Sequence, residues 1–301
     1  FYGLIKFYKA AQGAGIKPIA GADLWLESQY LDEPARICAL VQNQAGYRNL
    51  VLLISRGWQL NQQRGRALIK REWLEELHDG LILLSCARHG EIGQLLLNGK
   101  EEEASALAAY WQQLVGDRFY LEVQRTSRPG DEDCLHASVA LAAHLDIPLV
   151  ATNDVRFLKS EDFEAHEARV CIRDSATLDD PRRARRYSDQ QYLKSAEEMA
   201  ELFADLPEAL DNTVEIARRC NLDITLGKNF LPDFPIPTGQ TIEEFIESES
   251  KAGLEKRLAL ILDRNADDYA ERRREYDERL QFELQIICLL YTSPSPRDDI
   301  S

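Results

Sequence analysis

The sequence predicts an α/β fold in which strands and helices alternate along the chain. The strands are separated by helices or short loops, and they are predicted at residues 17–26, 36–42, 80–85, 119–124 and 147–151. This order is typical of βα units rather than of segregated sheets and helices. The strand GLILLS at 80–85 is almost wholly apolar, as strands buried on both faces are. We therefore expect a parallel sheet or a distorted β/α barrel.

Each intervening segment has the spacing or the capping residues of its predicted structure. A helix at 6–15 ends at glycines, a second helix runs from residue 45 to 55, and residues 57–66 form a polar loop. Further helices are predicted at 71–77, 91–97, 102–115 and 131–145. The last of these leads directly into the strand at 147–151, so the strands are joined by helical connections.

After the last strand the pattern changes from alternating elements to loops and helices. The apolar run ends in the polar Thr152-Asn153-Asp154, and a helical segment follows that carries His166. Residues 174–191 form a long polar loop. Ser195 caps a helix, and Pro207 begins another that ends near residue 220.

Three prolines in FLPDFPIPT mark a linker, and two charge-rich amphipathic helices follow at 241–262 and 267–290. Pro294 and Pro296 prevent the second helix from continuing into the final stretch LLYTSPSPRDDIS. We expect that stretch to be unpacked and foreign to the protein, and the opening residues, from Phe1, to begin in the middle of an element.

Composition limits the classes of function. The 301 residues are 45% hydrophobic and 29% charged, and no apolar run reaches the roughly 20 residues of a membrane span. The six cysteines show no CxxC spacing, so we expect reduced thiols and a cytoplasmic protein. A net charge of −15 predicts weak binding to DNA and suits contact with other proteins.

Asp154 occupies the position where chemistry is expected in such folds. It directly follows the buried strand at 147–151, and ligands of α/β sheets and barrels bind at the carboxyl ends of strands. Asp23 stands late in the first strand. These two carboxylates are the first candidates for a site.

Long runs of the sequence resemble one known family. VATNDVRF, EDFEAHEARVCI and FLPDFPIP closely resemble the N-terminal region of the alpha subunits of bacterial replicative DNA polymerase III, a polymerase-and-histidinol-phosphatase (PHP) domain. The resemblance covers residues 3–287. It implies an incomplete, distorted β/α barrel that lacks its first strands at 1–222, a linker at 223–240, the α-helical start of the polymerase palm at 241–288, and a non-native tail at 289–301.

The resemblance also implies a metal site, from which this sequence departs. PHP domains gather His, Asp, Glu and Cys ligands at strand ends around metal ions that activate water and stabilise phosphate oxygens. Asp154 keeps its carboxylate, but the other comparable positions hold Asp23 for Glu, Arg36 for His, Ala87 for Cys, Thr126 for His and Arg156 for His. Arginine cannot ligate a metal. We expect Asp23 and Asp154 to be the remains of a metal site, with Arg36 or Arg156 paired to one of them and no cofactor bound.

Two functions follow from the resemblance. The first is a catalytically inactive PHP domain that braces the polymerase and docks its proofreading exonuclease subunit. The alternative is a metal-dependent 3′–5′ exonuclease or phosphoesterase. The whole polymerase would perform template-directed DNA synthesis with Mg²⁺ held by palm aspartates outside this chain, so no catalytic residue is expected here. It would also contact DNA, the sliding clamp and the clamp loader, and no membrane.

Other polar residues leave alternatives open. His89 either faces the former metal site or is structural, and His166 is a packed or capping histidine or a site residue. The arginines of the 174–191 loop contact phosphate or simply form a solvated charged loop; they are Arg182, Arg183, Arg185 and Arg186.

Overall fold

The computed structural model describes residues 2–228 and 234–292 and divides the chain into two compact units, Phe1–Thr225 and Leu226–Ser301. Part of the predicted linker, residues 229–233, lies outside the described residues. So do residues 293–301 of the predicted tail.

One seven-stranded sheet organises the first unit, in the spatial order β3-β4-β1-β2-β5-β6-β7. The strands are β1 (Gly21–Leu26), β2 (Ala35–Val41), β3 (Gln62–Gln63), β4 (Arg66–Ile69), β5 (Leu81–Leu84), β6 (Phe119–Gln124) and β7 (Leu149–Thr152). The helices are α1 (Leu4–Gly13), α2 (Gln44–Leu60), α3 (Arg71–Glu76), α4 (Glu91–Leu97), α5 (Glu101–Val115), α6 (Asp131–Leu145), α7 (Phe163–Asp174), α8 (Ala196–Leu202) and α9 (Pro207–Arg219). The predicted α/β class is confirmed, and the open sheet is consistent with an incomplete, distorted barrel.

The strand directions correct the expectation of a parallel sheet. β5, β6 and β7 are parallel, but β2 runs antiparallel to both β1 and β5. The reason lies in the connection of β1 to β2, residues 27–34, because a parallel crossover needs about a dozen residues or more. The sheet is therefore mixed, with parallel pairing between β1 and β4 and along β5, β6 and β7.

The prediction of a polar loop at 57–66 is wrong. α2 continues to Leu60, and β3 and β4 form a short antiparallel hairpin that follows it. The two residues of the turn, Arg64 and Gly65, both have positive φ, 49° and 77°, which matches the twist of tight hairpins. Arg-Gly is a weaker turn signal than Asn-Gly, so the sequence did not predict the hairpin.

The centre of the sheet is the core of the unit, as the GLILLS run predicts. All four residues of β5 and all six of β6 are buried. The large side chains with almost no exposed surface include Phe119, Leu121 and Leu83. Burial of such side chains contributes about 1.5–3 kcal/mol each relative to an exposed position. β6 also carries two buried polar residues, Glu122 and Gln124, which brings polar chemistry into this core.

The second unit contains two long helices, α10 (Ile242–Ile261) and α11 (Tyr269–Thr292). Thr241 caps α10 through its side chain, and Arg273 of α11 binds Glu255 of α10. Apolar side chains remain exposed, with Leu260 87% and Phe282 53% exposed. Within the described parts of both units, no helix has the length and apolar character needed to cross a bilayer.

Candidate functional site

The candidate site lies where β5, β6 and β7 end. Four residues just beyond these strands hold a left-handed backbone: Cys86 (φ 59°), Ala87 (42°), Ser127 (58°) and Asp154 (44°). Residues other than glycine rarely adopt this conformation, which costs of order 1 kcal/mol or more each and tends to occur at functional sites. The chain therefore takes the same uncommon backbone conformation after each of these three strands.

Asp154, at the end of β7, accepts hydrogen bonds through both carboxylate oxygens. Its Oδ2 accepts hydrogen bonds from Arg128 Nη1 at 3.2 Å and from Gln191 Nε2 at 2.8 Å, and its Oδ1 accepts one from Arg156 Nη2. Its side chain is only 13% exposed. Burial alone would raise the pKa of Asp154, but neighbouring His89 and the charges of Arg156 and Arg128 outweigh burial and hold the pKa below its usual value.

Arg128 connects Asp154 to a second buried carboxylate, Asp131. The Arg128 side chain is 6% exposed, and its Nε lies 3.6 Å from Asp131 Oδ2. Arg88 binds the other Asp131 oxygen at 2.7 Å. Guanidinium and carboxylate groups therefore alternate through the site as Arg88, Asp131, Arg128, Asp154 and Arg156, a set that we call the Arg–Asp row.

Hydrogen bonds from β6 and its following loop hold the Arg–Asp row in place. Thr126 donates to Asp131 from both its backbone N–H and its hydroxyl, and the Arg128 Nε donates to the Thr126 Oγ1 at 2.7 Å. Burial would raise the pKa of Asp131, but Thr126, Arg128 and Arg88 lower it. Charge-assisted hydrogen bonds of this kind are about twice as strong as neutral ones, so the row is a rigid element.

Glu122 lies beside the row, but its pKa is raised, whereas the pKa values of Asp131 and Asp154 are lowered. It is 7% exposed, and its Oε1 accepts hydrogen bonds from Gln124 Nε2 at 2.7 Å and from the Thr152 hydroxyl. No arginine is among its hydrogen-bond partners within the part of the chain that the structure describes. Burial raises the pKa of Glu122 despite these bonds, and the negative charges of Asp23 and Asp154 add to the shift. Burial therefore favours the protonated form of this carboxyl group more than it would be favoured in an exposed glutamate.

Asp23 takes little part in the site. Arg36 Nη1 is 4.0 Å from Asp23 Oδ2, at the outer limit of an ion pair, and the Asp23 side chain is 57% exposed. Arg36 instead stacks over Trp25, with its guanidinium carbon 4.8 Å from the ring centroid. Burial raises the pKa of neighbouring Cys38 well above its usual value, helped by the charge of Asp23.

Sequence analysis expected Arg36 or Arg156 to pair with Asp23 or Asp154, and Arg156 does pair with Asp154. His89 also faces this carboxylate, with Nε2 3.7 Å from Asp154 Oδ2. The turn that carries His89 requires Gly90, because a Cβ there would lie 1.6 Å from the Ser85 carbonyl oxygen. His166 is a packed histidine, with its ring 4.6 Å from that of Tyr187.

The loop after α7 closes over Asp154, which the sequence did not predict. Gln191 is fully buried and donates to both the Asp154 side chain and its carbonyl. Asn153 donates to the Gln190 and Tyr192 carbonyls at 3.0 and 2.7 Å, and Ser188 donates to the carbonyl of Thr126. Arg128 and Gln191 were missed because nothing in their local sequence shows that the fold brings them to Asp154.

The residues present at this edge do not fit a divalent metal ion. Both oxygens of Asp154 accept hydrogen bonds from guanidinium groups, whose charge repels a cation. Ala87 and Thr126, at positions where the sequence resemblance led us to expect ligands, offer no thiolate or imidazole. Over residues 2–228 and 234–292, no group of three or more His, Cys, Asp or Glu side chains could hold a metal. That Asp23 and Asp154 are remains of a metal site stays a prediction.

Comparison with known proteins agrees with the resemblance seen in the sequence. The PHP domain family matches residues 1–126. DNA polymerase III subunit alpha of Pseudomonas aeruginosa is 59% identical over 285 residues, which are 94% of this chain and 24% of that protein. The subunit of Escherichia coli (strain K12) is 51% identical over 286 residues, and that of Haemophilus influenzae 45% over 289. The chain spans about a quarter of the length of these relatives.

Proposed function

Because the chain belongs to the DNA polymerase III alpha subunit family and contains its PHP domain, we propose that it is a structural module of a replicative DNA polymerase. In this proposal the whole protein performs template-directed DNA synthesis in the cytoplasm, with Mg²⁺ held by palm aspartates outside this chain. The PHP domain itself does not catalyse hydrolysis. It braces the polymerase and docks the proofreading exonuclease subunit, while DNA, the sliding clamp and the clamp loader contact the whole protein.

The Arg–Asp row is the observation that carries this proposal. In a metal-dependent hydrolase, carboxylates of this kind bind cations that lower the pKa of water. Here Arg128 and Arg156 take up both oxygens of Asp154, and Gln191 covers the same carboxylate. Charge-assisted hydrogen bonds supply the cohesion that metal–carboxylate bonds would supply. The strand ends are thereby joined to each other and to the loop after α7.

A nuclease assay tests the inactivity of the domain. The purified chain is incubated with a 3′-labelled single-stranded oligonucleotide, and separately with p-nitrophenyl phosphate, in the presence of Mn²⁺, Zn²⁺ or Mg²⁺. We expect no hydrolysis above that of the Asp154→Asn variant, which serves as the matched control. Hydrolysis that a chelator abolishes and Asp154→Asn removes would instead establish the metal-dependent exonuclease or phosphoesterase function.

The docking role is tested separately by co-purification of the chain with a tagged proofreading exonuclease subunit. We expect a complex that survives size-exclusion chromatography. Elution of the two proteins as separate peaks at micromolar concentration would count against docking through this domain, and it would leave the bracing role of the Arg–Asp row unaffected.

A further inference from the structure

A cleft lies between the C-terminal half of α7 and the segment at 174–186, away from Asp154. Its volume is about 650 Å³. The buried Cys171 and the half-buried Val170 and Ala176 form its floor, and the exposed Arg182 and Arg186 stand at its rim. A small apolar floor with charged groups around it is suited to binding one apolar side chain of a partner.

Ion pairs within this segment give the cleft a fixed wall. Arg183 binds the buried Glu167 of α7, with its own side chain 12% exposed. Arg186 binds Asp174 at 3.1 Å, and Arg182 binds Asp180 through Nε and Nη2, both at 3.2 Å. Two of these pairs hold the segment against α7, and the Arg182–Asp180 pair fixes the turn within the segment. The shape of the cleft therefore does not depend on a ligand.

The rim keeps hydrogen-bond donors available for a further acid. Asp174 is shared by Arg173 and Arg186, so its charge is already compensated. Arg186 uses only Nη1 for this pair, and a guanidinium carries five N–H donors. The side chains of Arg182 and Arg186 remain 88% and 53% exposed. Both can bind a second carboxylate without giving up the first.

Charge distribution points to an acidic partner. Residues 169–186 contain six arginines and three aspartates, a formal charge of +3 on a chain of −15. Screening at physiological ionic strength acts over about 8 Å, so a ligand in the cleft senses these local groups more than the net charge of the molecule. An acidic segment is therefore attracted here although most of the chain would repel it.

Exposed apolar surface beside the rim distinguishes a protein from a nucleic acid. Ile172 is 80% exposed and Leu178 36% exposed. Single-stranded nucleic acids bind on aromatic rings that stack with bases, but Tyr187, which follows Arg186 in the chain, is already engaged by His166 and Arg156. Arginine beside apolar surface is instead typical of protein interfaces.

We propose that this cleft docks an acidic segment of a partner protein, with an apolar side chain of that segment on the floor and its carboxylates on Arg182 and Arg186. The proposal goes beyond the bracing role of the Arg–Asp row and does not depend on it. The docking surface consists of the cleft and Ile172. It recognises an apolar side chain that is flanked by carboxylates.

Fluorescence anisotropy with a defined probe tests the proposal. The probe is a fluorescein-labelled amphipathic peptide of Glu, Leu and Ala, about four helical turns long, and its analogue carries Gln in place of Glu. We expect the Glu peptide to bind the whole chain with a Kd of about 10–100 µM. The Gln analogue should bind about tenfold more weakly, because it lacks the two exposed ion pairs with the rim.

Two variants with matched controls locate the binding. Arg182→Gln/Arg186→Gln should weaken binding about tenfold, whereas Arg218→Gln/Arg279→Gln, which removes two arginines that are each 71% exposed and paired, should not change it. Ile172→Ser should weaken binding, and Leu260→Ser, at a residue 87% exposed, should not. Circular dichroism and the Tm establish that each variant is folded.

A charge reversal makes the test independent of folding defects. Arg182→Glu/Arg186→Glu should lose the Glu peptide and gain a peptide of Lys, Leu and Ala. No binding of the Glu peptide, equal binding of its Gln analogue, or equal losses in the control variants would overturn the proposal. So would tighter binding of a single-stranded oligothymidylate that the same arginine variants abolish, since the surface would then be a nucleic-acid site.

Discussion

Asp154 and Asp23 each lie near an arginine at a position where the family resemblance led us to expect histidine, yet their environments differ sharply. Asp154 is 13% exposed and accepts hydrogen bonds from two arginines and a glutamine, whereas Asp23 is 57% exposed and lies 4.0 Å from Arg36. An exposed pair contributes little, because water already solvates both charges. Breaking a buried pair strongly destabilises the fold, because removing one partner leaves the other charge buried with neither a counter-charge nor solvent.

The largest effect is expected from Arg128, which serves two buried carboxylates. Arg128→Met keeps most of the volume but leaves Asp131 and Asp154 short of a cation, and we expect the free energy of unfolding to fall by about 3 kcal/mol. Urea denaturation measures this change. Arg48→Met, at an exposed arginine of α2, is the control and should cost no more than about 0.5 kcal/mol. Equal costs at the two positions would contradict the role of the row.

The two aspartates themselves give the most direct comparison. Asp154→Asn preserves shape but removes the charge that Arg128 and Arg156 share, so we expect a loss of about 2 kcal/mol. Asp23→Asn should change the free energy of unfolding by no more than about 0.5 kcal/mol. If Asp23→Asn were as costly as Asp154→Asn, the exposed pair with Arg36 would have to be counted as part of the site.

Acid should reduce the difference between wild type and Asp154→Asn. The pKa of Asp154 is lowered in the folded state, so the unfolded chain takes up a proton first as pH falls. The stabilisation is present above the usual aspartate pKa of about 4 and is lost as pH falls further. We expect the difference in unfolding free energy to shrink by about 1 kcal/mol between about pH 5 and pH 3. A constant difference over this range would show that the charge is not stabilising.

Glu122 should show the opposite pH dependence. Its folded pKa is raised, so above its usual value of 4.5 the unfolded chain releases a proton that the folded chain keeps, and stability falls as pH rises toward the folded pKa. Glu122→Gln removes this penalty, and we expect the variant to gain about 1 kcal/mol on wild type between about pH 4 and pH 8. Thermal unfolding at the two pH values measures the gain, and its absence would mean that Glu122 is ionised in the fold.

Sequence analysis predicted the parts of this molecule that depend on local pattern. The buried strand β5, the helices from α4 to α6 and the placement of Asp154 at a strand end all follow from apolar spacing and capping residues. The direction of β2 and the β3–β4 hairpin were not predicted, because they depend on connection length and on positive φ at Arg64 and Gly65. Neither the direction of a strand nor a positive φ at a non-glycine residue can be predicted from the apolar pattern of the sequence.

The partners of Asp154 mark the limit of sequence reasoning at the site. Arg156 is two residues away and could be expected to pair with it, but Arg128 and Gln191 are brought there by the fold from other segments of the chain. The resemblance to PHP domains directed attention to the positions where metal ligands were expected. It gave no indication of which residues had taken over the same carboxylate.

The central claim is that guanidinium groups take up the Asp154 carboxylate so that it does not bind a divalent metal ion, and calorimetric titration of the metal-free chain with Mn²⁺ tests it most directly. The account predicts no saturable binding at low micromolar Mn²⁺ and an unchanged Tm when chelator is added. One equivalent of bound Mn²⁺ that Asp154→Asn abolishes and Arg48→Met leaves intact would contradict it.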